Sequence, residues 1–243
     1  MQNKLELNGL IVQINRKPIK HYYLRICQKH GHVLVSAPLR SSERAIKQLV
    51  QSKLAWLQQQ ILKFKALPPA EALTFNSNEV HYFLGQAYTL TRFNGKIPAK
   101  IVLTNDGVMQ LYAPPNASPQ YLQRVMDAWY KQEFSKLLST LMPHWQKIIQ
   151  VEANDWRIRK MKSRWGTCNP QAKRIWLNLE LIKKPFACLE YVLVHELVHL
   201  LERGHNQRFY SLMSHFLPNW QECRKQLNSK LLPAASPLAT QWA

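Results

Sequence analysis

Acidic side chains are scarce in this chain of 243 residues. Aspartate occurs only at Asp106, Asp127 and Asp155, and Asp and Glu together number 14 against 33 Lys and Arg. Also missing is any apolar run of the roughly 20 residues that a membrane-spanning helix needs. The most apolar stretch, Tyr191–Leu201, is interrupted by His195, Glu196 and His199. Met1–Leu10 has neither an apolar segment nor a small-residue cleavage site, so no secretory signal is expected. Cys27, Cys168, Cys188 and Cys223 lack C-x-x-C spacing. That excludes a disulfide framework or a zinc ribbon and suits a reducing cytoplasm. What is present is a 46% hydrophobic content, enough to bury a core in one large domain or two small ones.

The shortage of acid leaves a net charge of +19. Residues 1–115 carry 15 basic against 5 acidic side chains, and residues 116–243 carry 18 against 9, so the excess is not confined to a tail. A field of this sign attracts nucleic acid, nucleotides or acidic proteins, although it also serves solubility alone.

Leu5–Ile14, Ile19–Ile26 and Val33–Ala37 read as short strands, broken at Arg16-Lys17-Pro18 and His30-Gly31. From Ser41 to Lys65 the period changes. Ile46, Leu49, Val50, Leu54, Leu57, Ile61 and Leu62 keep helical spacing, Ser41 or Ser42 can cap, and Leu67-Pro68-Pro69 ends the helix. Hairpins follow around Leu84-Gly85-Gln86 and Asn105-Asp106-Gly107. Ala113-Pro114-Pro115-Asn116 is the best linker. It predicts a β-rich part over 1–115 and a second part over 116–243, which can still pack as one continuous domain. In the second part, Pro119–Gln150 is a helical pattern that Pro143 should end or kink. Trp156–Ser163 and Arg174–Ile182 read as strands, and Pro185 opens a helix running to Arg203. Gln207–Phe216 and Pro218–Leu231 are further helices, and Pro233–Ala243 reads as a frayed end. No internal repeat is visible.

His195-Glu196-Leu197-Val198-His199 is an H-E-x-x-H motif within a helical pattern. Positions i and i+4 lie about 6 Å apart on one face, so both imidazoles can address one cation. Two neutral nitrogens, a third ligand and an open position describe a catalytic zinc site. Glu196 would then face a metal-activated water and take its proton. The helix is apolar nearly all round, and a buried His-Glu-His cluster needs compensation that a metal supplies. Three residues can complete the ligand set. His205 is favoured, because Gly204 in a left-handed conformation would reverse the chain while Asn206 caps the next helix. Glu202 and the remote Glu222 are the alternatives. His144 and His215 read as ordinary histidines, and His21, His30, His32 and His81 have no ligand spacing.

Arg157, Arg159, Lys160, Lys162 and Arg164 put basic groups on both faces of a strand, which predicts a sheet edge near solvent. Such an edge can pair with an extended peptide, hold phosphates, or merely be protected from aggregation by its charge.

Lys162-Ser163-Arg164-Trp165-Gly166-Thr167-Cys168, Ile175-Trp176-Leu177-Asn178, the Val194–Leu200 motif, His205 and Phe209 resemble the YgjP-like metallopeptidase-domain family, which is related to SprT-like and other minimal zinc peptidases. Upstream, Val33–Pro38 and Ile46–Trp56 are similar to the family's N-terminal strand and helix. The resemblance implies His195, His199 and His205 as zinc ligands and Glu196 as catalytic acid/base, with Arg164 and Trp165 beside the cleft. Gly204 where the family commonly has Asn, Asn206 where it has Ser, and Phe209-Tyr210 in place of Phe-Trp depart from the pattern without removing a ligand.

The fold expected is therefore α+β: a β-rich N-terminal part with one long helix, then a zincin-like half with a small sheet and the H-E-x-x-H helix. The function expected is a cytoplasmic zinc-dependent metallopeptidase acting on peptide or protein, with Lys162, Arg164, Trp165 and Tyr210 as candidate substrate contacts. Members of the resembling family are also assigned nucleoside triphosphate pyrophosphatase activity, on UTP in particular. The same metal site could serve it, with Arg159, Lys160, Lys162 and Arg164 on the phosphates. The non-enzyme alternative is a nucleic-acid-associated module with structural zinc.

Overall fold

Alternating apolar residues build the first of three small sheets in a computed structural model that describes residues 3–27, 32–65, 74–96 and 98–229. The chain divides into two compact units, Met1–Ala72 and Leu73–Ala243. The first holds β1 (Asn3–Leu7), β2 (Leu10–Lys17), β3 (Tyr23–Ile26) and β4 (Val33–Pro38) in the order β1-β2-β4-β3, with β2 and β4 parallel and the outer pairs antiparallel. Val12, Ile14, Val33, Val35 and Ala37 share a buried face with Ile46 and Val50 of α1 (Glu43–Ser52) and Leu57 and Ile61 of α2 (Leu54–Lys65). The single helix expected over Ser41–Lys65 is thus two. Lys53 leaves helical dihedrals, and its N–H bonds the Val50 and Gln51 carbonyls. Ser42 is the N-cap, accepting from the Ala45 N–H. The breaks read at His30-Gly31 and Leu67-Pro68-Pro69 lie outside the described residues, as do Pro233–Ala243 and the last residues of the helix read to Leu231.

The second unit opens with β5 (Val80–Phe83), β6 (Gln86–Asn94), β7 (Lys100–Leu103) and β8 (Val108–Ala113), ordered β5-β6-β8-β7. Its strand order and directions repeat those of the first sheet. In both, the last strand runs into Ala-Pro (Ala37-Pro38, Ala113-Pro114), and a serine, Ser42 or Ser118, caps the helix that follows. Buried positions correspond: Val33 with Met109, Val35 with Leu111, Ile46 with Leu122, Val50 with Met126. The chain therefore contains a structural repeat where its sequence shows none.

That arrangement also bears on the boundary expected at 115/116. Leu90, Met109, Leu111 and Ala113 share one core with Leu122, Met126, Tyr130 and Phe134 of α3 (Pro119–Ile149), so the Pro114-Pro115 linker is a turn inside the second unit. Pro143 does not end α3. Trp145 and Ile149 continue its buried stripe past the proline, and this packing offsets the lost backbone hydrogen bond.

A third sheet carries β9 (Asp155–Arg159), β10 (Gly166–Asn169) and β11 (Arg174–Asn178) in the order β10-β11-β9. The expected strands Trp156–Ser163 and Arg174–Ile182 are both shorter than read. Buried Asn178 stops them: its side chain accepts from the Met161 N–H (3.2 Å) and donates to the carbonyls of Met161 (2.9 Å) and Arg164 (2.8 Å). This holds residues 160–165 as a loop, and Leu179–Lys183 turns into a short 3-10 helix. Then come α4 (Phe186–Val198), α5 (Gln207–Phe216) and α6 (Trp220–Asn228). The result is a mixed α+β fold, and no helix among the described residues is long and apolar enough to cross a membrane.

The β5–β6 turn fixes where α4 begins. Leu84 and Gly85 both have positive φ (50° and 83°), and the Leu84 N–H donates to the Ile182 carbonyl at 2.7 Å. A Cβ on Gly85 would lie 2.8 Å from Pro185 Cα, at the N-cap of α4. Gly85→Ala should cost about 2 kcal/mol or more in denaturant unfolding, combining backbone strain with overpacking. An unchanged midpoint would contradict this contact.

His81 makes the same unit sensitive to acid. It is 5% exposed, stacks on Phe75 at 5.8 Å, and its Nε2 lies 3.6 Å from Glu79 without a hydrogen bond. Burial holds its pKa below the ordinary 6.5; Glu79 opposes that shift and Lys183 adds to it. Below pH 6.5 the unfolded chain binds a proton that the native imidazole resists, so stability falls as pH drops through that window. His81→Phe should flatten this part of the stability–pH curve measured by denaturant melts.

Candidate metal centre and substrate cleft

His195 and Glu196 occupy the last turn of α4, whose surroundings are apolar on every side: Leu193, Val194, Leu197 and Val198 are all buried. The helix stops at Val198, one turn before the expected Arg203, and His199 is its C-cap. Tight backbone bonds from Leu200 to Leu197 (3.0 Å) and from Leu201 to Val198 (2.9 Å) wind the chain outward.

The reversal that follows does not use a left-handed glycine. Positive φ among the described glycines is confined to Gly9, Gly85 and Gly107. Glu202 turns the chain instead. Its carboxylate accepts from the Gly204 N–H at 3.1 Å and from the Asn206 side chain and Arg203 N–H, and these bonds, that of Gly204 first, lower its pKa. Glu202 is therefore occupied as a turn cap, and its carbonyl lies 3.0 Å from His199 Nδ1. Asn206 caps α5 through the Phe209 N–H (3.0 Å) as expected.

This turn brings His205 back onto the helix end. His205 Nε2 lies 3.1 Å from His195 Nε2, and one nitrogen from each of His195, His199 and His205 falls within 4.8 Å of the others. Buried Phe209 lies beneath all three rings at centroid distances of 4.7–4.9 Å. Burial, then the neighbouring His199 and His205, pushes the His195 pKa down to about 3, and burial lowers His199 as well. His195 and His199 thus present unprotonated lone pairs at neutral pH, and the bond to the Glu202 carbonyl leaves His199 Nε2 free. Three imidazoles on one point, without thiolate or carboxylate, fit a zinc-type ion and not a hard cation. Glu222 is not in the cluster.

Glu196 is 5% exposed and has no hydrogen-bond partner among the described residues. Burial raises its pKa to about 8, with Arg164 opposing. Its carboxylate lies against Gly166, the first residue of β10, where a Cβ would come within 2.5 Å of Oε1. The adjacent Cys168 thiol is pushed up to about 12 by burial and by Glu196, so it stays protonated.

These groups border a cleft of about 760 Å³. One wall is β10 from Gly166 to Asn169. Among the described residues it pairs only with β11, so its other edge has no strand partner there. Arg164, Arg174, Trp176 and Arg203 also line the cleft.

Of the basic and aromatic residues read as substrate contacts, Arg164 alone lines the cleft. Lys162 is exposed on the loop outside it. Trp165 packs against the core under Lys184, and Tyr210 stacks between His205 (6.4 Å) and Trp220 (5.3 Å) without lining the cleft. Arg159 lies over Trp176 at 3.9 Å, and Lys160 pairs with Asp127 at 2.7 Å. Gly166, Arg174 and Arg203 were not foreseen as site residues. A glycine inside a strand, marking close approach of another group, was the one available signal.

The family model described as YgjP-like, metallopeptidase domain, matches residues 20–230. Among solved structures, the metallopeptidase zymogen of Pyrococcus abyssi abylysin is similar to 41% of this chain over 99% of its own, at 21% identity and a TM-score of 0.36. No curated protein matches the sequence.

Proposed function

The chain belongs to the YgjP-like family of metallopeptidase domains, and from that premise we propose that it is a zinc-dependent peptidase in which His195, His199 and His205 hold the metal and Glu196 is the general base. The convergence of the three imidazoles beside a buried carboxylate carries this reading. Zinc bound there supplies Lewis-acid activation of water and of the scissile carbonyl. The rest is the work of the chain. Glu196 takes a proton from the attacking water and returns it to the leaving amine as the C–N bond breaks. Glu202 orients His199 through its carbonyl, so that Nε2 faces the centre. The free edge of β10 receives the substrate as an added strand, and Arg164 is the cleft's donor to the developing oxyanion. Four free cysteines agree with a reducing, cytoplasmic location.

The engagements of Arg159 and Lys160, and the position of Lys162 outside the cleft, count against a nucleotide pyrophosphatase, for which these residues would have to meet phosphates. A structural-zinc module would close its coordination with a fourth protein ligand, whereas three nitrogens here border open space.

The test is zinc content and turnover of the full chain. About one zinc per chain is expected by elemental mass spectrometry, falling below about 0.2 in His199→Ala. Zinc-loaded protein should cleave unfolded polypeptides. Release of pyrophosphate from nucleoside triphosphates without peptide cleavage would overturn the peptidase reading.

A further inference from the structure

We propose that the cleft selects acidic peptide segments, with Arg174 receiving a substrate carboxylate about three residues from the scissile bond and Arg203 adding to the positive field of the cleft. The inference deepens the peptidase reading and rests on it.

Charge in the cleft is one-sided. Its charged lining is Arg164, Arg174 and Arg203 against a single carboxylate, Glu196, which is buried. The ion-paired basic residues among those described, Lys47, Lys136, Arg157, Lys160, Lys183 and Arg208, all lie outside the cleft. Arg174 and Arg203 have no ion-pair partner among the described residues. Two unneutralised guanidinium groups in a concave wall concentrate their field on whatever enters it.

Arg174 is also oriented. It is half-buried and lies 5.0 Å from the centre of the Trp176 ring. A guanidinium held against an indole keeps its N–H edge available for bidentate bonding to a carboxylate.

The sheet register sets the position. On β10, Gly166 touches Glu196, and Asn169 pairs with Arg174 of β11. Those β10 positions are separated by about 10 Å of extended chain. A peptide laid along the free edge of β10, with its reacting bond at Glu196, therefore passes Arg174 about three residues away. A nucleic acid would need its backbone followed by basic groups outside the cleft, where Lys160 is already paired and β10 offers peptide hydrogen bonds instead.

The experiment uses the full zinc-loaded chain and labelled peptides that are identical except for Glu, Gln or Lys three residues to either side of the cleaved bond. The Glu peptide should be cleaved with a kcat/KM about tenfold above the Gln peptide, with the Lys peptide lowest. Arg174→Glu should invert the order of Glu and Lys, read as the ratio of their kcat/KM values within that variant. Lys131→Glu, an exposed change of equal charge on α3 outside the cleft, should keep the wild-type order. Equal loss of preference in both variants would assign selection to the overall field and overturn the proposal, as would a wild type without preference.

Absence of any peptide cleavage would defeat the peptidase reading. Anisotropy of the same peptides on the zinc-loaded Glu196→Gln chain then decides separately. Binding of the Glu peptide about tenfold tighter than the Gln peptide, lost in Glu196→Gln/Arg174→Glu, supports the acidic subsite. No difference between peptides overturns it, and so does an oligonucleotide of equal charge that binds tighter in an Arg174-dependent way.

Discussion

Glu196→Gln should lower turnover by about a thousandfold or more while leaving zinc content unchanged. The substitution preserves shape, so the packing against Gly166 and the three imidazoles should stand. What it removes is the capacity to hold a proton between water and leaving group. The same change should raise the stability of the metal-free protein by roughly 1–3 kcal/mol, because a buried carboxylate without a hydrogen-bond partner is costly to ionise. Activity and unfolding free energy moving in opposite directions is the signature expected of a group kept for chemistry. Residual turnover within about tenfold of wild type would mean that another group carries the proton.

Gly166→Ala should reduce kcat by about a hundredfold with zinc retained. The added methyl would sit 2.5 Å from Glu196 Oε1, 2.7 Å from Cγ and 2.9 Å from Cδ. The carboxylate, enclosed in a buried site, must swing away, and a displacement near 1 Å is enough for such a loss. None of the three histidines is among the atoms nearest that methyl. Gly166 is thus a positioning residue, and its effect should fall on kcat while KM and metal content change little. A variant within about threefold of wild type would show that Glu196 has room to adapt.

How much of this centre was legible depends on the range over which each part is specified. His195, Glu196 and His199 could be read directly, because helical spacing alone sets their faces. His205 was reached through the wrong device. A chain reversal was needed, and glycine was the obvious agent, but Glu202 performs it by collecting backbone and side-chain donors. That role is invisible until the turn exists, since an acid three residues after a candidate ligand looks equally like a rival ligand.

The cleft wall was harder to read. Arg174 and Gly166 are brought to the centre by strand register, which spacing along the chain does not encode. The basic segment attracted attention by composition, yet Asn178 pulls residues 160–165 out of the sheet and leaves one of them, Arg164, in the cleft. The duplicated sheet escaped notice for a related reason. What repeats is the order and direction of strands, carried by interchangeable apolar residues such as Val35 and Leu111, while the identities preserved are little more than Ala-Pro and a capping serine.

The three imidazoles all come from one short stretch, His195 to His205, with Phe209 beneath them on the next turn. A chelate ring that small has little loop-closure entropy to overcome, so the segment can capture an ion before the sheets assemble. An ion that also binds the unfolded chain stabilises the native state less than its affinity would indicate. Chelation should then silence the protein without melting it, and metal supply during synthesis would set the active fraction without changing how much folded protein accumulates.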